Sequence, residues 1–247
     1  MTDIGPADPA GAETLDIMAA APRYNEWQYR QIESFIGSRV LEVGAGIGNM
    51  SQHIVTGDRE IVVLTDPDEA YRTALHDRFA GMKNVLVEPL CLPDAAAVSH
   101  LAAMRLNTAV ALNVVEHVED DVGALRQLGE IVGPHGRVVI LVPALPSIYG
   151  TLDRELGHFR RYTRRTLTRA FTDAGLEVVH MAWFNRVGVL GWWLNARVRR
   201  QRRIPLSQLR LFDTFVPLFE AERLLPLPFG QSLIAVGRPR SRLSGRA

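Results

Sequence analysis

The chain is short of the residues that staple or anchor a fold. It has one cysteine, Cys91, in 247 residues, so no internal disulfide and no cysteine-based zinc site can form. That pattern fits a reducing, cytoplasmic setting. It has one lysine, Lys83, in a basic complement that is otherwise all arginine, a coding bias rather than a function. Neither sign of charge dominates: 28 Lys and Arg against 27 Asp and Glu leave a net charge of +1, which gives no global reason to expect nucleic acid as a partner. No apolar run is long enough to span a bilayer. The opening MTDIGPADPAG carries acids and lacks the basic-then-apolar layout of a secretion signal. With 47% hydrophobic and 22% charged residues, the rest has the composition of a globular protein with a sizeable core, not of a disordered or fibrous one.

Residues 1–12, rich in Gly, Pro, Ala and Asp, are expected to be a flexible N-terminus, and 239–247 a flexible basic tail. Residues 13–238 then form a single domain. One or two helices are expected over Glu13–Ile36, with aromatics at Tyr24, Trp27, Tyr29 and Phe35. Beyond them, short apolar runs at Arg39–Val43, Glu60–Thr65, Asn84–Glu88, Thr108–Leu112 and Arg137–Val142 read as buried strands. Helical stretches lie between them at Gly48–Val55, Asp68–Phe79, Ala95–Met104 and Asp120–Val132. Strands alternating with helices mean βαβ units and a parallel sheet covered on both faces. After Pro143 come a loop, a helix over Thr163–Ala174 stopped by Gly175, a sixth strand over Leu176–Phe184 and a last strand over Ser232–Gly237. The fold class is therefore α/β, doubly wound, with about seven mostly parallel strands and a helical cap inserted before the last one. Residues 145–163 and 185–230 are the expected cap.

The segment VLEVGAGIGNMS places Gly44, Gly46 and Gly48 between a strand and a helix. Glycines there allow a tight bend and close approach of a ligand to the backbone, at the crevice where such sheets bind their ligands. The spacing is GxGxG, Asn49 follows, and no lysine is near, which weakens both the dinucleotide and the P-loop readings. Asp66 ends the second strand about 20 residues on, where a carboxylate can accept both hydroxyls of a ribose. Glu42, inside the first strand, suits a ligand with positive charge.

These segments resemble the class I S-adenosylmethionine (SAM)-dependent methyltransferases, whose fold is Rossmann-like. Val40–Met50 is similar to their glycine motif and LTDPD (64–68) to their ribose motif. ALNVVEHVEDD (111–121) and GPHGRVVILVP (133–143) resemble the stretches at the fourth and fifth strands, and GHFRRYTRRTLTRAFTDAGLEV (157–178) a segment of bacterial small-molecule members. The resemblance implies SAM as cofactor, S-adenosylhomocysteine (SAH) as product, and a small-molecule acceptor methylated at O, N or C. It implies that Gly44, Ala45, Gly46 and Gly48 pass under the methionine moiety, that Glu42 supports the loop and the amino group, and that Asp66 holds the ribose. Pro67 would pack near the adenine. Pro89 stands where the family often has an Asp, so backbone at Leu90 and Cys91 would serve the adenine. Tyr24 and Asn113 are further expected cofactor contacts.

For the acceptor side, His158, His117 and Tyr162 are the candidate catalytic residues, with His158 as general base, and Tyr149, Arg161 and Trp192 the candidate substrate contacts. Each has a plainer alternative: Asn113 or Glu116 as a helix cap, His158 as a structural hydrogen-bonding residue, and one of Arg160 and Arg161 as a solvated helix start. Cys91 reads as a small buried hydrophobe. No His/Glu spacing typical of a metal site is present, although Asp153 and His158 could join one. In the insertion, Val187, Leu190, Leu194 and Val198 recur at helical spacing before an arginine run. They suit a helix packed on the core, a lid, or a contact with an anionic membrane surface. Leu211, Phe215, Leu218 and Phe219 suit a second cap helix. Alternatives to methyl transfer are SAM chemistry of another kind, such as cyclisation, an NAD-dependent oxidoreductase, or a non-catalytic nucleotide-binding scaffold. The oligomeric state is expected to be monomer or homodimer.

Overall fold

A computed structural model describes residues 18–201, 206–224 and 227–240. The expected flexible segment 1–12 and most of the basic tail lie outside these residues.

Seven strands form one sheet: β1 (Arg39–Val43), β2 (Ile61–Thr65), β3 (Val85–Glu88), β4 (Thr108–Leu112), β5 (Arg137–Pro143), β6 (Leu176–Phe184) and β7 (Ser232–Pro239). Their order is β3-β2-β1-β4-β5-β7-β6. All pairings are parallel except those of β7, which runs antiparallel to both β5 and β6. The strand bounds match the sequence reading to within two residues; β1, β2, β4, β5 and β7 are mainly apolar runs buried on both faces, while the edge strands β3 and β6 are only partly buried.

Helices α1 (Pro22–Ile32), α2 (Ser51–Ile54), α3 (Glu69–Arg78), α4 (Ala95–Ala103), α5 (Asp121–Val132), α6 (Thr151–Glu155), α7 (Arg164–Asp173), α8 (Arg186–Trp193) and α9 (Leu206–Phe219) are described. Asp68, Asp94, Asp120 and Thr163 accept hydrogen bonds from first-turn amides of α3, α4, α5 and α7, so the starts read from sequence are true caps. The expected helix Gly48–Val55 shortens to α2 because Gly46 (φ 55°) and Gly48 (φ 84°) hold left-handed backbone that helical propagation cannot use. A π turn, Leu194–Val198, continues α8.

The sheet separates two apolar layers. One packs Leu125, Leu128, Leu167 and Phe171 of α5 and α7 against Leu41, Ala109, Ile140 and Leu233. The other packs Trp27 and Ile32 of α1, Leu75 of α3 and Val216 of α9 against Val40, Leu64, Leu141 and Ile234. Of the expected stripe, Leu211, Phe215 and Leu218 face outward, at 60%, 47% and 68% exposure, while Phe219 packs against the second apolar layer; Val216 and Asp213 are the buried residues of α9. Asp213 holds this face down by accepting the Tyr24 backbone N–H at 2.8 Å.

Candidate active site

The order β2-β1-β4-β5 makes β1 and β4 the strands where chain direction across the sheet reverses, and the crevice beyond their carboxyl ends is the general ligand position of such sheets. A cavity of about 1490 Å³ opens there.

One end is built by the glycine loop. Gly44 (φ 67°) lies so close to Val114 that a Cβ would come within 2.7 Å of the valine Cγ2, so bare backbone faces the cavity. Gly46 N–H donates to Asp66 Oδ2 and Asp68 N–H to Asp66 Oδ1, each at 2.9 Å. Asp66 thus ties the loop to the end of β2 while keeping further lone pairs for a ligand, and burial raises its pKa. Glu42 is 4% exposed and lines the cavity, and its Oε2 has no hydrogen-bond partner. Burial, with repulsion from Asp66 adding, pushes its carboxyl up to about 8. Such an orphaned acid calls for a cationic ligand group.

Tyr24, Glu42, Gly44, Ala45, Asp66, Pro67, Leu90 and Asn113 all line this cavity, as expected; Gly46 and Gly48 do not. Gly46 supports the loop through Asp66, and Gly48 allows the turn to pack on Leu75 and Phe79. Asn113, in left-handed backbone (φ 54°), caps no helix. Tyr24 is half-buried, and burial of its hydroxyl raises the pKa to about 12, which keeps it protonated. Cys91 corrects the expectation of a buried hydrophobe: it is exposed and lines the cavity, because it sits in the loop after β3 rather than in the strand.

The other end is organised around Asp153 of α6, which is fully buried. It accepts from Arg161 Nε at 2.6 Å, from Gly150 N–H at 2.8 Å and from Trp192 Nε1 at 3.3 Å, and it pairs with His158 Nδ1 at 3.1 Å. Burial alone would raise the Asp153 pKa; the His158 bond and the Arg161 charge outweigh it and hold the carboxyl below its ordinary value. The ionised Asp153 accepts from His158 Nδ1, which turns Nε2 away from that carboxylate. The Arg161 guanidinium also stacks over Trp192, 4.7 Å from the ring centre. This hub joins the loop after β5, α6 and α8 into one wall.

His117, His158, Arg161 and Trp192 line the cavity as expected, but Tyr149 and Tyr162 do not. The Tyr149 hydroxyl donates to the His158 carbonyl at 2.8 Å and supports that loop from behind. Tyr162 is 2% exposed, and its hydroxyl donates to Asp121 at 2.7 Å. Burial and that carboxylate raise its pKa further, which takes it out of acid–base work. Of the two arginines, Arg160 is the peripheral one, paired with Asp121 at 3.0 Å. Glu116, weighed above only as a cap, is fully buried beside His117 and His158.

The sequence matches a family described as a methyltransferase domain over residues 16–181. The chain belongs to that family. It is a SAM-dependent methyltransferase, and SAM is its cofactor. The sequence matches no curated protein. Among solved structures, the fold is similar to the methyltransferase CalH in complex with SAH (TM-score 0.60, 15% identity), over 90% of this chain and 58% of that one. It is also similar to the methyltransferase domain of bacterial CtHen1-C (TM-score 0.57, 12% identity, 89% and 98% of the two chains). A third likeness is to the [4+2]-cyclase SpnF (TM-score 0.54, 14% identity, 88% and 80%). At these identities the likeness is one of fold. The family match ends within β6, before α8, α9 and β7.

The orphaned Glu42 Oε2 and the side-chain-free backbone of Gly44 at the cavity fit SAM: a carboxylate for its ammonium, and a loop that lets the ligand approach the main chain. When bound, SAM supplies an activated methyl group on a sulfonium.

Proposed function

We propose that the methyltransferase acts on a small-molecule acceptor, with residues 145–163 and 185–230 as substrate cap, and without nucleic acid as substrate. The observation that carries this reading is the cavity itself. At about 1490 Å³ it exceeds the ~300–1,000 Å³ of ordinary ligand sites, which leaves room for a second molecule beside the cofactor. Leu152, Leu156, Val187, Trp192, Leu209 and Phe212 of the cap supply much of its apolar lining.

In this reading Glu42, Gly44, Ala45, Asp66, Pro67 and Leu90 bind the cofactor, and Gly46 and Gly48 shape the loop beneath it. Asn113, His117, His158, Arg161 and Trp192 face the acceptor. The donor is already activated, so the protein's work is to align the two molecules and exclude water. A hydroxyl acceptor also needs its proton removed, and His158 Nε2, fixed by the Asp153–Nδ1 contact, is the group placed to take it. Tyr149 and Tyr162 support this wall from behind. The cyclase among the structural neighbours shows that the fold also serves other chemistry. The His158–Asp153 pair facing the cavity favours an acceptor with an ionisable proton.

The test is calorimetric titration of the purified protein with SAM and SAH, repeated on Asp66→Ala, with NAD as control. Micromolar binding of both, lost in the variant, is the expected result. Binding of NAD alone, or of no nucleotide, would overturn the reading.

A further inference from the structure

One group at the acceptor end is explained neither by the cofactor nor by the fold. Glu116 lies in the single 3-10 turn Val115–His117 after β4, with no solvent exposure, and neither carboxylate oxygen has a hydrogen-bond partner. A carboxylate buried in this way is costly unless it meets a cation or takes up a proton. Two imidazoles stand beside it. One ligand atom from each of Glu116, His117 and His158 lies within 4.8 Å of the others, and the two rings meet edge to face with centroids 4.7 Å apart.

The surroundings of His158 add a second, independent observation. Its Nδ1 is engaged by the Asp153 carboxylate, so Nε2 is the nitrogen left to meet a ligand. A carboxylate behind an imidazole is the support that orients histidine ligands on metals and raises their basicity. Arg161, paired with Asp153 at 2.6 Å, also exerts its charge on Glu116 but makes no hydrogen bond to it, so both Glu116 oxygens stay open to a ligand.

We infer that Glu116, His117 and His158 form a binding site for a divalent cation, held by one carboxylate and two imidazoles, with open positions toward the cavity. Imidazole with carboxylate suits Zn²⁺, Mn²⁺, Fe²⁺ or Co²⁺ better than Mg²⁺. His117 and His158 both line the cavity, so an oxygen of the acceptor can reach the open positions. The inference deepens the proposed function and rests on it for the acceptor, whose class becomes a hydroxylated molecule offering oxygen donors. Ligation engages the same Nε2 that would otherwise take the acceptor's proton. With the cation bound, its charge would lower the pKa of the coordinated hydroxyl, whose proton would pass to water as the acceptor binds, before water is excluded.

The test uses the full chain freed of metal by chelator and dialysis, then titrated calorimetrically with Zn²⁺, Mn²⁺ and Mg²⁺ separately. Visible absorption is followed with Co²⁺, and SAH binding is measured in parallel. One equivalent of Zn²⁺ is expected, weakened at least about 10-fold in both Glu116→Gln and His117→Ala, with SAH affinity unchanged in both. His117 is exposed, so its variant keeps the experiment decisive even if the buried Glu116 variant misfolds. Saturable Zn²⁺ binding unaltered by His117→Ala, or no binding by the unsubstituted protein, would overturn the inference. Zinc binding without SAH binding would instead strike the methyltransferase reading and leave the cation site standing.

Discussion

Glu42 lines one end of the cavity and Glu116 lies buried behind the other; each has at least one unpartnered carboxylate oxygen and each is pushed by burial to about 8. For Glu42 the consequence for stability has a definite sign. Its folded pKa lies above the value of an exposed glutamate, so between about pH 4.5 and 8 the folded apo-protein holds a proton that the unfolded chain has released. Stability therefore falls as pH rises through that window, and the loss is complete above the folded pKa. In Glu42→Gln this contribution disappears: urea midpoints measured from pH 5 to 9 should decline less steeply, with a gain on the order of 1–5 kcal/mol at the alkaline end. Equal slopes in both proteins would show that Glu42 is ionised throughout. The placement of Glu42, Asp66 and the glycine turn beside one another was legible because all lie on one local strand–turn–helix unit and the next strand. The contact of Glu116 and His117 with His158 was not, because two loops from different strand ends must first be folded together.

At the scale of elements, strands and capped helices followed from local pattern, since burial on both faces and an Asp or Thr cap each leave few alternatives. Helix α9 is the exception. Its most regular apolar stripe points to solvent, while the face carrying Val216 and Asp213 packs on α1 and the sheet. Periodicity reports that a helix has an apolar face without saying which face finds a partner, and here an aspartate that bonds the Tyr24 amide belongs to the buried one. Hence Leu211→Ser and Leu218→Ser should change stability by no more than about 0.5 kcal/mol, whereas Val216→Ala should cost roughly 1–3 kcal/mol. Guanidinium unfolding midpoints of the three variants check this. A large loss in Leu218→Ser alone would mean that the outward stripe is covered in solution.

Across the whole molecule, the cavity lies between the sheet's carboxyl edge and a wall that the Asp153 hub holds together from the loop after β5, α6 and α8. A ligand bound there contacts elements from both halves of the sheet and so stabilises the folded state as a unit. SAH at about 100 times its dissociation constant should add about 2.7 kcal/mol, a rise in melting temperature of about 5–10 °C for a chain of this size. Differential scanning fluorimetry with and without SAH measures it, and an unshifted transition would count against cofactor binding. None of the described helices is long and apolar enough to cross a membrane.

The sequence by itself determined the strand–helix alternation, the glycine turn and the acids at the ends of β1 and β2, because each depends on neighbours within one βαβ unit. Only the tertiary structure decided that Tyr149 and Tyr162 turn away from the cavity, that Cys91 faces it, and that Asp153 gathers Arg161, His158 and Trp192. Cys91 follows from the loop that carries it; for the tyrosines and the Asp153 hub the physical reason is shared. A polar side chain goes where its hydrogen bonds are met, and its partners here come from segments that only the closed sheet and its cap bring together.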